Sequence, residues 1–146
     1  MLSRDEAVQI IDRLHDAQAR LYTDGDPEPV RGVLTDDIAW HVPGTSPIAG
    51  SYDGIDEVIA YMRARRELAD GTFRMHRLDV LTGSGQTVAV LTDGEVSLGG
   101  VVRRWSTIGL YRLGGGRVAE CRLVPFDQAE FDEIWSITKP ESAPGE

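Results

Sequence analysis

Histidine, with an ordinary pKa of about 6.5, is the side chain best suited to give and take protons at neutral pH. His41 in Trp40-His41-Val42-Pro43-Gly44 and His76 in Phe73-Arg74-Met75-His76 both fall in stretches that alternate like strands. Each is a candidate general acid/base, and each reads first as a histidine on the outer or subunit face of the sheet. Glu95 and Asp127 complete the candidate proton carriers. Glu95 and Arg122 read either as a buried ion pair or as a pair that orients a substrate. Asp127, with Glu130 three residues on, reads first as a helix cap and second as a catalytic carboxylate. The three histidines lack a spaced carboxylate pattern, and the single cysteine, Cys121, lacks metal-binding neighbours, so no metal site is expected.

A second set of residues suits ligand contact. Trp40, Val42, Tyr22 and Trp105 supply apolar or aromatic wall, and Gln18, Arg104 and Arg122 supply polar anchors. Gln18 stands out because it lies in an apolar helical stripe. An amide carried inward there needs a partner, water or a ligand.

The elements that position these residues can be read in order. Ser3-Arg4-Asp5-Glu6 has the form of a capping box, and Ile10, Ile11, Leu14, Ala17, Leu21 and Tyr22 recur at helical spacing until Asp24-Gly25-Asp26-Pro27. Pro29 to Leu34 supports one short helical turn. Leu34 to Gly54 is the organising stretch: a strand from Ile38 to Val42 with Trp40 facing the core and His41 facing away, a Pro/Gly loop, and a turn over Gly50 to Gly54. A second amphipathic helix runs from Ile55 to Gly71, and its Arg63, Arg65, Arg66 run reads as a solvated face. Four strands follow, Phe73–Leu81, Thr87–Leu98, Val101–Leu113 and Arg117–Val124, joined by Gly-rich turns short enough to require antiparallel hairpins. A last short helix begins after Asp127 and ends near Trp135. One cavity-forming domain over 1–137 and a disordered tail over 138–146 are expected.

Composition narrows the partners. A formal charge of −9 on 146 residues opposes binding to nucleic acid or to a membrane surface. With no long apolar run, the protein is expected to be soluble and cytoplasmic. Both faces of the last four strands mix polar and apolar residues, so one face is expected to meet the helices and the other a second subunit in a homodimer.

On Trp40-His41-Val42-Pro43-Gly44, Pro47-Ile48-Ala49-Gly50, Gly54-Ile55-Asp56-Glu57-Val58 and Gly116-Arg117-Val118-Ala119-Glu120, the chain resembles the SnoaL-like branch of the nuclear transport factor two-like superfamily, which includes polyketide cyclases and relatives of ketosteroid isomerase. The resemblance spans about residues 5 to 136. It implies an α+β fold in which a cone-shaped, curved antiparallel sheet wraps helices around a cavity, a cystatin-like roll. It also implies frequent homodimers and a hydrophobic small-molecule ligand. The catalytic residues of the best-known relatives do not carry over. The base of ketosteroid isomerases falls on Val42, their donor tyrosine on Gln18, and their buried acid near Ile108. The Arg and Asp of limonene-epoxide hydrolases fall on Gly94 and Val96. Of the scytalone-dehydratase pattern Tyr22 matches, while Thr23 replaces the neighbouring aspartate. Two functions are therefore expected as alternatives: a cofactor-independent isomerase, cyclase or lyase acting on a polyketide- or terpenoid-like metabolite, or a non-catalytic binding or accessory protein using the same cavity or sheet face.

Overall fold

The computed structural model describes residues 2–137, and the expected tail over 138–146 lies outside the described residues. Helix α1 (Arg4–Asp24) opens with the capping box: Ser3 Oγ accepts from the Glu6 backbone N–H, and the Glu6 carboxylate accepts from the Ser3 N–H. It closes on Gly25, whose φ of 77° suits glycine and whose N–H reaches the Leu21 carbonyl. Its buried stripe runs from Ala7 to Tyr22 and includes Gln18. The proline-led helix α2 (Glu28–Val33) delivers the chain to strand β1 (Leu34–Val42). This strand is longer than the alternation alone predicts, because Leu34 is also buried and pairs with the last strand.

Residues 50–53, expected as a turn, form a short strand, β2 (Gly50–Asp53), antiparallel to β1 with His41 opposite Ser51 and Trp40 opposite Tyr52. Four residues give too few alternations to be read as a strand, and the pairing comes from β1 and not from local propensity. Helix α3 (Ile55–Leu68) follows. Strands β3 (Arg74–Thr82), β4 (Thr87–Leu98), β5 (Val101–Gly114) and β6 (Arg117–Pro125) make the expected antiparallel meander, and helix α4 (Gln128–Ser136) ends the described chain.

The sheet order is β2-β1-β6-β5-β4-β3. Only the β1/β6 pair is parallel, which joins the N-terminal hairpin to the meander in one curved surface. Helices α1 and α3 pack on its inner face, and α4 closes one end through Phe131, Ile134 and Trp135. The architecture is the α+β roll anticipated above. Among the described residues no helix is long and apolar enough to cross a membrane.

Candidate functional site

Register explains why the inner face holds a cavity. Four successive rows cross the middle strands there: Tyr111 with Cys121 and Trp40, Gly109 with Leu123, Thr92 with Thr107, and Gly94 with Met75 and Trp105. Gly109, Thr92, Thr107 and Gly94 present small side chains or none, while the flanking positions carry large rings. A concave floor results. The ring of Trp105 lies over Gly94 and that of Tyr111 over Gly109. A Cβ at either glycine would stand 2.5 Å from a ring atom, which real Cβ atoms essentially never do. Trp105 is held there by stacking on Phe73 (5.7 Å between centroids) and by edge contacts with Trp135 (5.5 Å) and Phe131 (6.2 Å).

His15 and Gln18 from α1, Arg65 from α3, and Phe73 at the entry to β3 form the opposite wall. The cavity, counted with its mouth, has a volume of about 420 Å³. Several polar atoms of the wall lack partners in the protein: Gln18 Oε1, Trp40 Nε1 and Thr107 Oγ1 are buried without hydrogen bonds. Buried polar groups left so are what a cavity's water or ligand satisfies.

His15 is the member of the wall whose ionisation bears on neutral pH. Burial pulls its pKa down to about 4. Asp12 and Asp16 oppose that shift and Arg77 adds to it. Asp12 is already engaged by Arg77, whose Nε and Nη2 donate to its two oxygens at 2.6 and 3.3 Å. His15 is thus a neutral imidazole in the cavity at pH 7, a weak base at rest whose basicity rises when a negative charge forms beside it.

The residues singled out from the sequence divide between the two faces. Gln18 (1 % exposed) and Trp40 line the cavity. Tyr22 is buried just behind the wall, where its hydroxyl accepts from Arg65 Nε at 3.1 Å and Nη2 at 2.8 Å. Burial raises its pKa against the opposing pull of Arg65 and of the Gln18 amide. Trp105 backs the cavity through Gly94. Val42 is buried on the Trp40 face but not on the cavity wall.

His76, Glu95, Arg104, Arg122 and His41 lie on the outer face. Glu95 and Arg122 do not form the buried pair that the sequence allowed. Glu95 accepts from Arg104 Nε at 2.9 Å on the surface, its cross-strand neighbour by register, while Arg122 is exposed and stands 3.7 Å from Glu120, two residues before it on the same face of β6. His41 is hydrogen-bonded through Nδ1 to Ser51 Oγ (2.9 Å) and through Nε2 to Glu120 Oε2 (3.0 Å). The bond from His41 holds the Glu120 carboxyl below its usual range despite some desolvation, and His41, Arg112 and Arg122 add charge attraction. With Ser51 exposed and Glu120 flanked by two arginines, this chain of side chains is a polar ladder across β2, β1 and β6. Asp127 caps α4, its Oδ1 accepting from the Glu130 N–H at 3.0 Å. Among the described residues no cluster of His, Cys, Asp and Glu could hold a metal ion.

His15 and Arg65 are among the wall residues that escaped the sequence reading. His15 lies on the same helical edge as Ile11, Gln18 and Tyr22, four residues after the first and three before the second, a spacing that marks it as inward. Arg65 follows Val58 and Met62 by seven and three residues. Its spacing placed it in the core, yet the neighbouring arginines led to a solvent assignment. The structure corrects this: Arg65 is 4 % exposed, while Arg63 faces solvent.

The comparisons with known proteins agree with this architecture. A SnoaL-like domain model matches residues 15–121. An uncharacterised protein of Mycobacterium tuberculosis is 28% identical over 136 residues, 92% of this chain and 100% of its own. The structure of Bal32a, from a soil-derived mobile gene cassette, is similar with a TM-score of 0.77 at 25% identity, covering 89% of this chain and 98% of that one. A Jannaschia protein named as a candidate SnoaL-like polyketide cyclase has a TM-score of 0.67 at 21% identity, with 96% and 94% of the two chains covered.

Proposed function

The chain belongs to the SnoaL-like domain family, and from that premise we propose that it takes a planar, largely apolar metabolite into the inner cavity and moves a proton on it through His15, with no cofactor. The observation that carries this reading is His15 itself: a neutral imidazole on a wall that contains no carboxylate, beside buried hydrogen-bonding atoms that lack partners. The candidate polyketide-cyclase name of the Jannaschia protein supports the same class of chemistry.

In this reading the unprotonated ring nitrogen of His15 takes a proton from a carbon next to a substrate carbonyl. The electron pair moves into the carbonyl to give an enolate, whose oxygen is stabilised by hydrogen bonds from Thr107 Oγ or Trp40 Nε1. Return of the proton at another carbon completes an isomerisation. Attack of the enolate carbon on a second carbonyl of the same molecule, with the proton going to that oxygen, completes a cyclisation.

The test uses planar 1,3-dicarbonyl compounds in D2O. Binding is read from quenching of tryptophan fluorescence, and carbon-bound proton exchange is read by NMR. The expected result is accelerated exchange by the wild-type protein and retained binding with lost exchange in His15→Gln. Binding without accelerated exchange in the wild type would establish the second reading, a non-catalytic carrier. That reading draws on one observation: His15 has no hydrogen-bonded carboxylate to orient it among the described residues.

A further inference from the structure

Arg65 sits in the cavity wall without a counter-ion. It is the only charged side chain among the described residues that is fully buried, and the two hydrogen bonds it makes both fall on one neutral oxygen, Tyr22 Oη. The guanidinium has five N–H donors in a planar fork. The donors left over have no protein acceptor among the described residues. Around it are the faces of Phe73 (4.6 Å from the guanidinium carbon to the ring centroid), Tyr61 (5.0 Å), Tyr22 (5.3 Å) and Trp135 (5.6 Å).

The titratable groups that face Arg65 cannot neutralise it. Tyr22 comes from α1, Tyr61 from α3 and Cys121 from β6, and burial pushes the pKa of each upward, so all three are uncharged at neutral pH. Tyr111 on β5 is raised in the same way. His15, on the same wall of the cavity, is neutral as well. The aromatic faces attract the cation, but they accept no hydrogen bond in the plane of its fork. A buried positive charge with free donors at the edge of a cavity is the complement of a planar anion. Gln18 Oε1, buried and unpaired on the same wall, adds an acceptor suited to a ligand hydroxyl.

Resting on the reading of the inner cavity as the ligand site, we propose that the ligand is an organic acid: a planar aromatic or enolic molecule whose carboxylate or ionised enol oxygen is received by Arg65, with a hydroxyl directed to Gln18. The ring of the acid lies between the sheet floor and the helical wall. Arg65 thereby selects the anion over its neutral isostere, and it holds the ligand by one end so that the rest lies along the slot.

The probes are 2-hydroxybenzoate and its uncharged isostere 2-hydroxybenzamide, titrated against wild type, Arg65→Met and Arg65→Lys, with a thermal melt of each protein. The wild type is expected to bind the acid at least tenfold more tightly than the amide. That ratio should fall to near one in Arg65→Met and be partly kept in Arg65→Lys. Equal binding of acid and amide by the wild type overturns the proposal, as does binding of neither. Either result leaves the 1,3-dicarbonyl exchange test standing, so this inference can fail alone. An unchanged ratio in Arg65→Met, together with a lower melting temperature, would make Arg65 a purely structural centre of the aromatic cluster. If Arg65→Met does not fold, the wild-type ratio and that of Arg65→Lys still decide the matter.

Discussion

At His15 the sign of the pH dependence follows from its surroundings. Its folded pKa of about 4 lies below the free value, so between the two pH values the unfolded chain holds a proton that the folded chain does not. Stability from this group is complete above pH 6.5, falls as the pH drops toward 4, and changes no further below that. Between pH 6.5 and 5, above the range where most carboxylates titrate, the loss should be about 2 kcal/mol. Denaturant melts across that range should show the slope in wild type and a flatter profile in His15→Gln. Gln18 tests the other half of the wall. Its unpartnered Oε1 faces no dry core, so Gln18→Leu should leave the melting temperature unchanged or slightly higher while weakening ligand binding about tenfold, the scale of one buried hydrogen bond. A paired melt and titration reads both. Gln18 was legible because one polar residue in an apolar stripe has no ordinary explanation. Arg65 and His15 carried the same periodic mark, but long or charged side chains usually turn outward, and only the aromatic cluster around Arg65 shows where it goes.

Among the elements, helices and long strands announced themselves through period and punctuation, and β4 occupies the residues that alternation assigns to it, Thr87–Leu98. The cavity did not announce itself in the same way. It is a property of register, which sets Thr92 opposite Thr107, Gly94 opposite Trp105 and Gly109 opposite Val90, and single-strand patterns do not reveal which residues will meet. The two glycines are the cause of the concave floor, since each lets a ring lie on bare backbone. Gly94→Ala should therefore push the Trp105 indole off its place against Phe73 and Trp135. The expected cost is about 1–3 kcal/mol, typical of overpacking, with a shift in tryptophan emission. Gly83→Ala, at an exposed turn with open space around it, should show neither change. Equal behaviour of the two variants would mean that the ring over Gly94 moves aside freely and does not shape the cavity.

Across the whole molecule the two faces of the sheet do different work. The inner face spends its large rings on the cavity walls and on α4. On the outer face, register assembles Leu91, Ile108 and Val124, with Asp79 at one end, into one row and Leu81, Ala89 and Leu110, with Arg122 at the other end, into the next. Charged and polar rows border this apolar band. Arg74, Glu95 and Arg104, with His76, Asp93 and Ser106, lie on one side, and Arg112 and Glu120 lie on the other. An apolar centre with a polar rim is the anatomy of a protein interface, and such a sheet face can meet its own copy about a two-fold axis. Leu81 at 65 % and Val124 at 44 % exposure are costly to leave in water, and no element of this chain covers them among the described residues. The protein should therefore be a homodimer at micromolar concentration by light scattering. Ile108→Asp, which places a charge at the centre of the band and away from the cavity, should yield a monomer with the wild-type secondary structure by circular dichroism. Because the cavity is built within one chain, that monomer should still bind the cavity's ligand. A wild-type monomer, or an Ile108→Asp dimer of unchanged mass, would show that this face meets no second copy.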